Sequence, residues 1–160
     1  MISLPDQHGE TVTIRFVPNV EPTGDPHTDA ENQARAETEA TEYQIRTRIL
    51  PGALWEKLVA DNPPTDTQKT EGFDYHTTNF PVGLLVESIT GWTVTRAGAV
   101  LEDEVRKVTV DEARELWETW PQFARRQLFA VLQSQNLYGP ALGKGNKRRN
   151  VPAATSPATG

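Results

Sequence analysis

Apolar and polar positions alternate along two stretches near the start of the chain. In Thr11 to Val17, TVTIRFV, the residues Val12, Ile14 and Phe16 fall on one side and Thr11, Thr13 and Arg15 on the other. In Tyr43 to Leu50, YQIRTRIL, the residues Tyr43, Ile45, Thr47 and Ile49 alternate with Gln44, Arg46 and Arg48. Period two is the mark of a half-buried strand, and the two segments are predicted to pair antiparallel. Pro18 closes the first, because proline has no N–H to give to a ladder. Between them, Glu21 to Glu42 holds seven acids, one base and no aromatic residue. Such a segment has little apolar surface to set against chain entropy. The region from about 18 to 42 therefore reads as a mobile acidic arm or long loop, with at most a transient helix in Asp29 to Ala40.

From Pro51 the period changes to that of a helix. Leu54, Trp55, Leu58 and Val59 share a face, Pro51 suits a first turn, and Pro63–Pro64 forbids continuation. Asp66 to Glu71 predicts a short polar helix stopped by Gly72. Asn79 reads as the N-cap of the next helix, with Pro81 in its first turn, an apolar stripe of Phe80, Leu84, Leu85 and Ile89, and an end near Gly91. Trp92 to Val108 is ambiguous: Thr93–Thr95 reads as strand, Val100 to Lys107 as helix. Thr109 and Glu112 form a capping box, which fixes a helix start, and Ala113, Leu116, Trp117 and Trp120 line one face. Pro121 opens a last helix with Ala124, Leu128, Val131 and Leu132 inward and Arg125–Arg126 outward, ending at Tyr138-Gly139-Pro140.

These elements predict an α+β fold that is mainly helical. A short antiparallel strand pair with its acidic arm occupies 1–50, a small helical domain 51–140, and a disordered basic tail 141–160.

The net charge is −6 over 160 residues, but it is unevenly spread. Residues 141–160 carry Lys144, Lys147, Arg148 and Arg149 and no acid, which leaves 12 bases against 22 acids on residues 1–140. So acidic a body repels phosphate backbones, and no dedicated nucleic-acid binding is expected. The absence of cysteine removes disulfides, thiolate metal sites and thiol nucleophiles. The start, MISLPDQHGE, has no basic segment followed by an apolar run, so no secretory signal is read there. The longest apolar run, Val82 to Val86, is too short for a membrane span.

A search for chemistry returns little. Asp25, His27 and Asp29 are close in sequence and carry metal-binding groups, but proline-flanked ligands in an acidic arm are poorly organised for a cation; they read as solvated. Glu102-Asp103-Glu104 reads as an exposed charge run, and Gly143-Lys144-Gly145 lacks the spacing of a phosphate loop. No catalytic residue, cofactor or metal is predicted, and the chain reads as a non-enzyme. Trp55 and Trp117 are assigned to the core, and Trp120 to a helix junction. Phe73, Tyr75 and Trp92 are the candidate partner-binding residues, as aromatics expected to stay partly exposed.

One block carries a resemblance. An amphipathic helix with Leu54, Trp55 and Leu58 is followed by N-P-P-T at Asn62 to Thr65, then Gln68, Glu71-Gly72, the aromatics Phe73 and Tyr75, and N-F-P at Asn79 to Pro81 leading into an apolar helix. A capped helix with acids and tryptophans, Thr109 to Trp120, and a final helix complete the order. Over roughly residues 43–138 this layout resembles the tail assembly chaperones of long-tailed phages, in particular those of actinobacterial phages and prophages. The resemblance implies a non-catalytic assembly factor in the host cytoplasm. It would bind and solubilise the tape measure protein, with the tail tube protein and self-association as further contacts. The strand-like start, the acidic arm and the Trp92–Val108 stretch are not part of the matching pattern. A head–tail connector or minor tail component, and an enzyme with an unrecognised carboxylate site, remain the alternatives.

Overall fold

A computed structural model describes residues 7–139. The basic segment 141–160, expected to be disordered, lies outside them. Among the described residues there are four strands and six helices.

The expected strand pair is present. β1 (Gln7–Phe16) and β2 (Thr41–Ile49) run antiparallel, with Val12 opposite Ile45 and Ile14 opposite Tyr43. The alternation sorts as it should: Val12, Ile14 and Ile45 are buried, while Thr11, Thr13, Arg15 and Gln44 face out.

Two expectations about whole segments fail. The acidic segment is not an extended loop: it contains α1 (Pro26–Thr38), capped by Asp25, whose carboxylate accepts the Thr28 N–H at 3.3 Å and also the Thr28 hydroxyl. Pro26 fits the first helical position, where no N–H is needed. Ala36 is buried, and Arg15 Nη2 donates to the Glu37 carbonyl at 2.7 Å, which ties the helix end to β1. Local capping and one tertiary tether supply what the segment lacks in apolar surface.

The second failure is the mainly helical region. Ile89 and Gly91, read as the end of a helix, belong to β3 (Ile89–Arg96), and Val100 to Glu104, read as helix, belong to β4 (Ala99–Glu104). The turn between them is Ala97-Gly98, with φ of 50° and 80°. Two successive positive φ values match the right-handed twist of a tight hairpin. Alanine at the first of these positions is the reason the turn was not legible. The sheet has the order β1-β2-β3-β4, with every neighbouring pair antiparallel, so it runs across the boundary drawn at residue 50.

Helices cover one face of this sheet. α2 (Gly52–Asp61) and the short α3 (Asp66–Thr70) lead to α4 (Asn79–Ser88), then α5 (Val110–Thr119) and α6 (Gln122–Tyr138). α4 is apolar on nearly every side, and Phe80, Val82, Leu84 and Leu85 are all buried. It lies between the sheet and α2, with α5 and α6 beside it. The Phe80 ring meets Trp55 edge-on at 5.5 Å and Tyr75 at 4.6 Å. Asn79 does not cap α4. The His76 Nδ1 does so, accepting the N–H groups of Thr78 at 3.2 Å and Asn79 at 3.0 Å. Arg125 is not outward either: its Nη1 donates to the Trp117 carbonyl and its guanidinium lies over the Trp117 ring at 5.3 Å.

The end of α6 is locked to the sheet by a buried amide. Gln135 is fully buried. Its Oε1 accepts the Glu10 N–H at 2.8 Å, and its Nε2 donates to Thr47 Oγ1 at 3.0 Å and to the Arg48 carbonyl at 3.2 Å. Thr47 passes the chain on, donating to the Glu10 carbonyl at 2.6 Å. The β1–β2 register shifts between His8 and Thr11, and this irregularity frees the Glu10 groups that the side chains take up. Gly9 makes room for them: a Cβ there would stand 2.6 Å from the Gln135 amide. Gln135→Leu keeps the volume but removes the amide's bonds to the Glu10 N–H, the Thr47 hydroxyl and the Arg48 carbonyl, and is expected to cost about 2 kcal/mol. Chemical denaturation measures it; a loss below about 0.5 kcal/mol, the range of a neutral surface change, would show that the network does not hold α6.

Candidate functional site

A cleft of about 310 Å³ opens between α5 and the helix-covered face of the sheet. Its position follows from local sequence. The Thr109–Glu112 capping box is formed in both directions and fixes where α5 begins. The helix then turns Ala113 fully inward and leaves Leu116 half-buried over the sheet. Below it, Ile45 on β2 stands opposite Trp92 on β3. Ile45, Ile89 and Leu116 form an aliphatic floor, while Tyr43, Trp92 and Trp120 supply the aromatic walls. Tyr43, Trp120 and Phe16 pack edge to face, with centroids 5.0 to 5.6 Å apart, so these walls are braced from behind.

Carboxylates from Glu102, Glu112 and Glu115 border the cleft. Glu102 accepts the Trp92 Nε1–H at 3.0 Å, which sets the indole plane. Burial raises the Tyr43 phenol above its ordinary pKa, and the Glu102 charge adds to the effect. Glu112 is held by Arg106, whose Nη1 and Nη2 donate at 2.8 and 2.9 Å, and by the Thr109 N–H at 2.9 Å. These contacts, the Arg106 pair first, lower its pKa to about 2. The same guanidinium reaches Glu104 at 3.1 Å and lies 4.8 Å from the Trp92 ring centre. Glu115 has no ion pair and its carboxylate takes no hydrogen bond among the described residues.

On the outer face of the sheet, Arg46 Nη1 donates to Thr93 Oγ1 at 2.9 Å and Nη2 to the Glu104 carbonyl at 2.8 Å. It crosses Gly91, where a Cβ would stand 2.5 Å from that carbonyl. This crossing pins β4 to β3 and thereby places Glu102 and Glu104.

The three candidate residues do not form one patch. Phe73 and Tyr75 sit together before α4, with rings 6.3 Å apart, and Tyr75 leans into the core against Phe80. Trp92 lines the cleft, whose lining includes neither of the other two. Tyr43, Leu116, Trp120 and Glu115 are not among the partner-binding candidates that the sequence offers. Each carried a signal, an inward strand position or a place on or beside the α5 apolar stripe, but the signal pointed to core until β3 and β4 were placed. Glu102, Asp103 and Glu104 lie on a strand, with Asp103 accepting from Thr93 at 3.0 Å. In the acidic segment, Asp25 is the α1 cap and Asp29 accepts the Thr23 N–H and hydroxyl, each at 2.8 Å. Among the described residues no group of three or more His, Asp or Glu side chains is placed to hold a metal ion. No described helix is long and apolar enough to cross a membrane.

Comparison with known protein families, with characterised proteins and with solved structures gives no match.

The arrangement offers an apolar floor, the faces of three aromatic rings and an uncommitted carboxylate. It is suited to holding a side chain or short segment of another molecule. Two outcomes check the way α5 is anchored. Thr109→Ala is expected to lower stability by about 1 kcal/mol in chemical denaturation, the usual loss of an N-cap hydroxyl; an unchanged midpoint would mean that α5 starts elsewhere. Glu112 has a lowered folded-state pKa, so its contribution is present above the ordinary glutamate range and lost as pH falls toward about 2. Unfolding midpoints across that acid range should therefore fall more steeply for the wild type than for Glu112→Gln. Parallel curves would contradict the Arg106 pairing.

Proposed function

We propose that this chain is a non-catalytic assembly factor of the phage tail chaperone kind, which binds the tape measure protein and keeps it soluble while the tail is built. The observation that carries the reading is the cleft between α5 and the sheet. It is apolar inside and acidic outside, and the elements that border it bear exposed apolar side chains: Val100 and Leu101 on β4, Val105 after it, and Val110 at the start of α5. Val105 is 85% exposed. Apolar surface left open beside a cleft is what a client-holding protein needs, and a strongly acidic body keeps such a protein from precipitating with its client. Tail assembly as the setting, and the tape measure protein as the client, rest on the resemblance of the sequence to tail assembly chaperones, in which the Trp92–Val108 stretch has no part.

The direct test is co-expression. A tape measure gene is expected beside the gene for this chain; its product should be insoluble alone and enter the soluble fraction with this chain, and purified virions should lack the chain. A tape measure protein that stays equally insoluble, together with fixed-stoichiometry incorporation of this chain in virions, would favour a connector or minor tail component instead.

A further inference from the structure

Arg106 shows, within the chain, what one wall of the cleft accepts. A guanidinium lies against the Trp92 ring while its N–H groups are taken by Glu112 and Glu104. That is a complete receptor for a cation: a π face for the flat charge and carboxylates for its donors. The interior of the cleft repeats these parts with no cation in them. Tyr43 and Trp120 line it, packed edge to face on each other; Glu115 lines it from α5 with no partner among the described residues, and Glu102 lines it from β4 with one oxygen given to the Trp92 indole.

We infer that the cleft between α5 and the sheet takes an arginine or lysine side chain from a partner polypeptide, with an adjacent aliphatic or aromatic residue of the same segment covering Leu116. The inference rests on the reading of this cleft as a client-docking site, but not on who the client is. Charge complementarity selects the occupant. Glu102, Glu112 and Glu115 border the opening, and of these only Glu112 is neutralised by a cation of its own. The floor of Ile45, Ile89 and Leu116 calls for an apolar neighbour. A volume of about 310 Å³ is at the small end for a binding pocket, which suits one or two side chains rather than a folded domain. A second copy of this chain is a poor occupant, because it would bring another acidic rim to the first.

Peptide selection tests this without reference to a tape measure protein. A random peptide library is panned on the full chain, and recovered peptides are measured by fluorescence anisotropy against wild type and variants. The recovered sequences should carry arginine or lysine next to an apolar residue. Their affinity should drop about tenfold in the double variant Glu102→Gln with Glu115→Gln, the size expected for losing one charge-assisted contact at a ring face. Both substitutions keep the side-chain shape, and the amide oxygen introduced by Glu102→Gln can still accept from Trp92, so the melting temperature should hold. Glu118→Gln, on the same helix but outside the cleft lining, should bind as wild type does. Recovery of no peptide, of peptides without basic residues, or of peptides that bind the double variant as tightly would overturn the inference. So would a dimer in light scattering that Leu116→Glu returns to monomer, since the cleft would then hold a second copy. If basic peptides bind the cleft while the tape measure protein stays insoluble, the inference stands and only the identity of the client fails.

Discussion

Gln135 is the contact on which the rest of the arrangement depends. A single buried amide, at the far end of α6, satisfies a backbone N–H of β1 and a backbone carbonyl of β2 and bonds the Thr47 hydroxyl. Next to it, Asn136 accepts the Leu50 N–H at 2.7 Å, where β2 gives way to the helices. Apolar packing brings α6 to the sheet but is not directional; it tolerates sliding. Buried polar groups do not, because any shift leaves them unpaired in a medium where that is costly. With the α6 register set, Leu128 and Leu132 meet the sheet, the short Trp120–Pro121 junction places α5, and α5 defines one wall of the cleft.

The apolar periodicity of the chain made much of this legible. Both strand alternations, the α5 capping box and the inward residues of α6 stand where the pattern puts them. What escaped did so for physical reasons. α1 is built from polar residues, and it is held by a cap and by Arg15 across 22 residues; no local hydrophobic signal announces such a helix. The β3–β4 hairpin was hidden because Ala97-Gly98 lacks the asparagine or aspartate that usually marks its turn. The acids of β4 are largely exposed, as the charge run reads, but their pairing with β3 and with Arg106 could not be read from the run alone. The cleft lay beyond sequence reasoning for a further reason. Its walls come from β2, β3, β4 and α5, and the hairpin strands among them had to be placed before the walls could be seen to face one another.

The split between the two faces of the sheet bears on function. The outer face carries polar pairs, with Arg46 bridging Thr93 and Glu104, and a second opening lined by polar residues that include Arg15, Glu37, Glu42 and Thr95. Threonines and arginines there offer little apolar surface. The helix-covered face is packed under α4 and α6 and opens beside α5. Beside α5, aromatic rings, an aliphatic floor and unpaired negative charge coincide. On the proposal that the chain holds a client, a rigidly braced opening of this kind keeps the ordering cost of binding low.

Whether that opening is where the client sits can be measured directly. A photo-crosslinking amino acid placed at Leu116, inside the cleft, and in a second protein at Thr13, on the outer face, would be irradiated in cells that co-express the tape measure protein. A crosslinked adduct is expected from position 116 and none from position 13. An adduct from position 13 with none from 116 would contradict a client seated in the cleft.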